Sequence, residues 1–574
     1  MATGTRTFGL HETFLDPQAL PPPPVRHALF AFVVVLASIL HIGTSGWSDI
    51  HNGPEGTYAG GAREMLQTGN WLVPQHHGIA APEEPPFLSW LIVLSYKVFG
   101  VSPMAARVPI ALGMVGAVAL TFLIGERLGG YWRGFTAALI HLCSFGTFIW
   151  GRIVTPEPLA AAFIAGAIYC AVCGYQQKRR RRWWFAGWWL CAALAYLTQG
   201  AFAIAVLAAI FLLLAAFFRE ARIRFRCLVR WTYLVPFILF IAGWHLLLRS
   251  QFPAWLGDVL SSAWLLPFAA TGSPEGVSLP WFSFAHFAWW FPCAVLVLPG
   301  AFLAWRKIIR PHEIETTDAL PLCWMFAGFL PLLLMSPRQE YHSMIMWSAF
   351  ALWAASTWAR MPRALQLTGI AAAAVAGIAA ILITGIGRLP AQLLTTPVGD
   401  RPLGVMPGVL ALTIALFSFA AAYLVWRHWE RLAITVFMLG MVPLGLAAAD
   451  GMARLGPNFS FARAAEFLRI HRGEEGEVMF EGSKWAGSSL GFYLENRLFI
   501  VERSRTSTNA SAAAADPHRL NQQQALEKMA APHAVYLIIH KDRVPFWQER
   551  LTARFHIYHQ VTTCGTHVVI NNHP

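Results

Sequence analysis

Residues 47–74 read WSDIHNGPEGTYAGGAREMLQTGNWLVP, and residues 82–91 follow with PEEPPFLSWL. This polar stretch sits between the first long apolar run and a succession of others. It holds Asp49, Glu55, Arg63, Glu64, His76, His77, Glu83 and Glu84 in a chain of which only 13% is charged. Charge wedged between apolar runs is either ordinary solvated loop or the place where chemistry is done at a membrane face. Tyr58, Ala62, Met65 and Leu66 recur at helical spacing after Pro54, which predicts a short helix lying along the membrane surface. A second amphipathic helix is predicted over 87–99, and the proline-rich VPQHHGIAAPEEPP between them should fold back as a loop.

The rest of the chain fixes the setting. At 574 residues and 56% hydrophobic, with mean hydropathy +0.49, it is too apolar for a soluble globular protein. About 20 apolar residues cross a bilayer, and windows near 28–47, 104–124, 134–150, 157–176, 184–198, 201–218, 231–249, 283–305, 319–335, 343–359, 365–386, 405–426 and 432–449 give about thirteen spans. Basic residues follow alternate spans: Arg127 and Arg133, Lys178 to Arg182, Arg219 to Arg230, Arg306 to Arg310, Arg360 and Arg363, Arg427 and Arg431. Those loops are cytoplasmic by the positive-inside rule, so residues 48–103, 151–156, 250–282, 336–342 and 387–404 face outward, as does everything after Gly451. The net charge of +13 therefore reports topology and not a nucleic-acid partner.

Residues 1–27 form a cytoplasmic tail with no small-residue cleavage signal, so the first span reads as an uncleaved anchor. Seven of the eight cysteines lie in or beside apolar spans and Cys564 lies in the tail, which leaves neither a disulfide framework nor a CxxC zinc site. Neither an internal repeat nor a mid-span acidic residue points to a transporter. Residues 451–574 have the composition of a soluble domain. FARAAEFLRIH, HRLNQQQALEKMA and VPFWQERLTARF read as helices, EVMFEG, RLFIVE and AVYLIIH as strands, HIYHQV with HVVINN as a closing pair, and 503–517 as a flexible loop. The fold class expected is a polytopic α-helical membrane protein, with a transmembrane domain over 28–450 and a C-terminal soluble α/β domain over 451–574.

Outward segments bring acidic and basic groups to one membrane face: Glu55 with Arg63 in the first loop, Arg152 with Glu157 in the second, Arg338 with Glu340 in the fifth. Carboxylates can take a proton from an attacking hydroxyl, and arginines can hold a phosphate leaving group. Arg152 and Glu157 could equally pair with each other at a span end.

PEGTYAGGAREMLQTGNWLVP, EEPPFLSWLIVLSYKVFGVSPMAARVPIALG, GRIVTPEPL, LAYLTQG and SPRQEYHSMIMW follow one another in the order of blocks found in the polyprenyl-phosphate-sugar glycosyltransferases. The chain resembles that family over roughly 28–450, and its tail resembles the family's periplasmic domain. The resemblance implies the GT-C fold and inverting transfer of a monosaccharide from a polyprenyl-phosphate carrier, in the bacterial inner membrane. The acceptor it implies is a lipid A-like glycolipid or another cell-envelope molecule at the periplasmic face. A protein O-glycosyltransferase, or a noncatalytic carrier translocator or scaffold on the same fold, are the alternatives. The family places an Asp-Glu pair in the first loop; here Pro54 takes the place of the Asp and Glu55 remains, so Glu55 or Asp49 is the expected base, unless a phosphate acceptor needs none. Glu157 stands where the family has Asp, and Gln199 where it has Lys. Tyr58, Arg63, Arg152, Arg338, Glu340, Tyr341 and His342 are the expected substrate contacts. Glu83 matches a metal-binding position, and His76 and His77 stand in for a histidine missing from 255–276, so a divalent metal is an expected cofactor.

Overall fold

The computed structural model describes residues 23–76, 79–81, 84–176, 180–253, 276–297, 300–301, 316–334, 338–385, 406–471, 476–483, 485–494, 498–503, 518–555 and 558–573. Within them each apolar window contains helix. Six helices are individually long and apolar enough to cross a bilayer: Pro103–Gly129, Glu157–Gln176, Trp231–Gln251, Arg363–Leu382, Gly408–Trp426 and Glu430–Gly456. Their surroundings differ. The apolar window of Glu157–Gln176 is 67% buried within the protein, whereas that of Trp231–Gln251 is 6% buried and depends on lipid to cover it.

Several windows are broken where hydropathy sees no break. The one over 134–150 is two helices, Tyr131–Cys143 and Phe145–Trp150, because Ser144 adopts extended backbone (ψ 139°) and turns its hydroxyl back to the Ile140 carbonyl. The last window divides into Glu430–Leu439 and Val442–Phe459, and 343–359 is entered through a 3₁₀ turn, Glu340–Met346. The window 283–305 is a helix only over Leu279–Trp289, followed by a 3₁₀ turn at Cys293–Leu296; 298–299 and 302–315 lie outside the described residues. Most of the expected outward loops 250–282 and 387–404, and all but Arg503 of the loop 503–517, also lie outside them.

The first loop contains the helix its spacing predicts, Pro54–Thr68, with Pro54 in the first turn and Gly69 closing it in the left-handed region (φ 71°). The second helix is Phe87–Phe99. Between them a short antiparallel hairpin pairs β1 (Gln75–His76) with β2 (Ile79–Ala80).

The tail folds around one six-stranded sheet of β3 (Glu477–Glu481), β4 (Phe499–Val501), β5 (Arg519–Leu520), β6 (Val535–His540), β7 (His559–Cys564) and β8 (His567–Asn571), in the order β5-β4-β3-β6-β8-β7. β3, β4, β5 and β6 run parallel and β8 and β7 add antiparallel at one edge. HRLNQQQALEKMA is strand and then helix, because Asn521 caps Gln522–Lys528 with a reciprocal bond to Gln524.

A helix the sequence reading did not anticipate, Ser488–Tyr493, packs directly on the first-loop helix. Gly56 makes the approach possible: a Cβ there would stand 2.5 Å from both the Ser488 hydroxyl and the Ser489 nitrogen. Around this contact the Gly53 N–H reaches Ser488 Oγ (2.8 Å), Ser489 Oγ donates to Asn52 Oδ1 (2.6 Å), and the Tyr493 hydroxyl accepts from the Ile50 N–H (2.9 Å). The C-terminal sheet domain is thus fastened to the same loop that carries the charged residues.

Candidate functional site

Glu55 begins the first-loop helix and is fully buried. Arg107, near the start of the span Pro103–Gly129 and 2% exposed, meets it from Nε to Oε1 (2.8 Å) and from Nη2 to Oε2 (3.0 Å). The His51 and Val154 N–H groups donate to the same carboxylate at 2.9 and 3.3 Å. Arg107 spends its remaining donors on the carbonyls of Ser45, Ser48 and Asp49. Burial pushes the Glu55 carboxyl up, but the Arg107 charge and the bonds from Arg107 and His51 outweigh it and hold the group below the usual carboxylate range. Glu55 is therefore a saturated anchor, with no face left to receive a substrate proton. This corrects the expectation of a base at that position.

A cavity of about 910 Å³ opens beside it. Its lining comes from distant segments: His51 to Pro54 and Tyr58 of the first loop, Glu84, Trp150, Glu157, Gln199, Tyr341 and His342, and Ser483, Trp485 and Ala486 of the soluble domain. Four buried polar atoms in that wall have no hydrogen-bond partner among the described residues: His51 Nε2, Trp150 Nε1, Glu157 Oε2 and Gln199 Oε1. Buried polar groups are paired in the great majority of cases, so these four atoms around one hollow are available to water or to a polar ligand there.

Glu157 is 2% exposed, and its other oxygen, Oε1, accepts from Gln199 Nε2 (3.3 Å) and lies 3.9 Å from His342 Nε2. The Gln339 N–H donates to His342 Nδ1 (3.4 Å), which leaves the proton on Nε2, the side of Glu157. Burial pushes the His342 imidazole down to about 4, so it is neutral at physiological pH. Tyr58 and Tyr341 also stay protonated, since burial raises both phenols. Tyr341 packs its ring against Trp150, with centroids 5.4 Å apart.

The cavity therefore unites Tyr58, Glu157, Gln199, Tyr341 and His342 of the residues the sequence singled out. Others are used elsewhere. Arg152 donates to Thr44 Oγ1 (3.0 Å), to the Leu40 carbonyl (2.9 Å) and to the Phe148 carbonyl, so it ties helix ends together instead of facing a phosphate, and it does not pair with Glu157. Arg338 reaches the Leu332 and Leu333 carbonyls at 3.2 and 3.3 Å, and Glu340 accepts from Trp281 Nε1 (2.8 Å). Arg63 holds the Phe492 carbonyl at the domain contact. Asp49 lies beside Gly456, outside the cavity lining. Sequence reasoning passed over His51 and Trp150 and named Glu84 only among the charges of the loop; the signal for His51 was its place three residues before Pro54, inside the loop where the acidic pair was expected.

His76 Nε2 is 2.9 Å from Glu84 Oε2, and His77 and Glu83 lie outside the described residues. Among the described residues no three His, Cys, Asp or Glu side chains gather as a metal site.

A family model described as dolichyl-phosphate-mannose-protein mannosyltransferase matches residues 83–245. The fold is similar to that of ArnT from Cupriavidus metallidurans bound to undecaprenyl phosphate, with TM-score 0.77 and 17% identity over 96% of this chain and 98% of that one. The chain thus shares the fold of ArnT, and part of it is similar in sequence to the aminoarabinose transferases. The Archaeoglobus fulgidus oligosaccharyltransferase has the same general fold at TM-score 0.51 and 14% identity, covering 90% of this chain and 70% of that one. In sequence, the undecaprenyl phosphate-alpha-4-amino-4-deoxy-L-arabinose arabinosyl transferase of Pseudomonas savastanoi pv. phaseolicola is 32% identical over 126 residues, 22% of this chain and 23% of its own length. Transferase 1 of that name from Proteus mirabilis is 30% identical over 166 residues, 28% of this chain and 29% of its own. The matched stretch thus spans about a quarter of these relatives' length.

Proposed function

We propose that this chain is a glycosyltransferase of the bacterial inner membrane that moves one sugar from a polyprenyl-phosphate carrier to a cell-envelope glycolipid of the lipid A type at the periplasmic face. The observation that carries the reading is the cavity itself: four unpaired buried polar atoms converge in one hollow shared by membrane helices and the soluble domain. A lipid-held sugar entering from the bilayer and an acceptor arriving at its surface could meet there. The likeness to a structure holding undecaprenyl phosphate supports the carrier.

The reaction is a single displacement. The acceptor oxygen bonds to the anomeric carbon, the bond from that carbon to the phosphate oxygen breaks, and the electron pair leaves with the lipid phosphate. Positive charge grows on the sugar as the bond stretches, and Glu157, oriented by Gln199, is placed to stabilise it. The Trp150 indole N–H and the His342 Nε2–H are donors for the departing phosphate. The described lining carries the carboxylates Glu84 and Glu157 and no Lys or Arg, which favours a sugar bearing an amino group.

The test is transfer by purified protein in lipid nanodiscs, supplied with radiolabelled undecaprenyl-phosphate-linked aminoarabinose and lipid A. Label should move to lipid A, and Glu157→Gln should reduce the rate at least 100-fold, the scale of a lost electrostatic stabiliser. A carrier that crosses the bilayer with its sugar-phosphate bond intact would instead make the protein a translocator.

A further inference from the structure

Where the acceptor oxygen belongs to a hydroxyl, the proposed displacement needs a proton acceptor, and Glu55, the residue left of the expected acidic pair, is saturated by Arg107 and two backbone N–H groups. We propose that His51 is the general base of this chain and that Glu55 is its positioning residue. The assignment rests on the proposed transfer reaction and deepens it.

Three observations carry it. His51 lines the cavity and is 9% exposed, and its Nε2 has no partner among the described residues. Its Nδ1 faces Glu55 Oε2 at 3.6 Å, which favours the tautomer with the proton on Nδ1 and leaves the Nε2 lone pair free. The backbone holds the ring in place, since the His51 N–H itself donates to Glu55 and the His51 carbonyl accepts from the Gly56 N–H (2.9 Å). Asp49, Glu55 and Arg107 are the charged groups that act on the imidazole. Burial lowers its pKa, so at neutral pH it is unprotonated and able to take a proton.

Atoms and charge balance directly. The acceptor O–H proton passes to Nε2 while its oxygen bonds to the anomeric carbon and the phosphate leaves with the electron pair. The imidazolium formed lies against the Glu55 carboxylate, which is already ionised and does not move. A carboxylate behind a histidine is the arrangement by which a weak base is oriented and its charged form stabilised. In this chain Pro54 leaves no acid side chain beside Glu55, and the histidine three residues earlier supplies the function.

The experiment uses acceptor chemistry to separate a base from a structural residue. A hydroxyl acceptor needs a proton removed, whereas a phosphate acceptor is already an anion at pH 7 and does not. In nanodiscs with undecaprenyl-phosphate-linked aminoarabinose, wild type, His51→Gln and His51→Asn are compared on lipid A, which presents phosphates, and on its dephosphorylated form, which presents only hydroxyls. Loss of a positioned base is expected to slow transfer to the hydroxyl form about 100-fold or more, and at least about tenfold more than it slows transfer to phosphate, with melting temperature unchanged. Equal loss on both acceptors, or no loss on either, overturns the assignment. Absence of any sugar release by wild type overturns the transfer reaction itself, and the assignment with it.

Discussion

Arg107 and Glu55, 52 positions apart in sequence, are joined by two hydrogen bonds inside the protein, where neither side chain is more than 2% exposed. The guanidinium also gathers three carbonyls of the strand of chain between the first span and the loop helix. One ion pair thus fixes where the polar loop leaves the membrane, and with it the positions of His51 and Pro54 on the cavity wall.

Breaking that pair leaves a buried charge uncompensated. Arg107→Ala is expected to destabilise the fold by about 3–5 kcal/mol, and Glu55→Gln by somewhat less because the backbone bonds to an amide oxygen persist. The readout is apparent melting temperature in detergent. An Arg107→Ala protein that melts like wild type would show that the loop is held by other contacts.

The same pair sets an acid limit. The folded carboxyl of Glu55 titrates below its ordinary value of 4.5, so its stabilisation is fully present above that value and is lost as the pH falls through the depressed one. Melting temperature should therefore decline below about pH 4.5 in wild type. That decline should be blunted in Glu55→Gln, which has no proton to bind, and identical acid profiles for the two proteins would remove Glu55 as its source.

Gly56 is the point at which the soluble domain touches the loop helix. A methyl group there falls 2.5 Å from Ser488 Oγ and the Ser489 nitrogen, and one of the neighbours is backbone that cannot swing aside. Gly56→Ala should cost about 1–3 kcal/mol at the contact and loosen residues 460–573 from the membrane helices. Limited proteolysis between 452 and 476 reads this directly, with faster cleavage in the variant. Unchanged cleavage would mean that the domain is held mainly by its other bonds, such as Ser489 to Asn52.

What the sequence could and could not show follows from the range of each interaction. Apolar windows and alternating basic loops placed the helices, because length and charge are local properties. The break at Ser144 escaped notice because the residues on both sides are equally apolar. Glu157 was reached by counting which span ends face outward, and Tyr341 and His342 by the resemblance of SPRQEYHSMIMW to a family block. Glu55 stood at an equally suggestive place, but its role is set by Arg107, which hydropathy and spacing give no reason to connect with it. The Ser488–Tyr493 helix is six residues with no periodicity to read, and its existence depends on the two glycines, Gly56 and Gly60, that face it from the loop helix.

Arg152 supplies the contrast that separates scaffold from site. All three of its contacts run to groups in the protein: Thr44 Oγ1, the Leu40 carbonyl and the Phe148 carbonyl, the ends of helices Pro23–His41 and Phe145–Trp150. A guanidinium fork satisfies that geometry and an ammonium does not, so Arg152→Lys keeps the charge but abandons two of the three acceptors. About 1–3 kcal/mol of stability should be lost for buried acceptors left unpaired. If Arg152 served only as a helix tie, the lipid-linked donor's KM would stay near the wild-type value while melting temperature fell. A phosphate-binding arginine would show the reverse, a raised donor KM at constant melting temperature, and steady-state kinetics paired with a thermal melt on the same preparation decides between them.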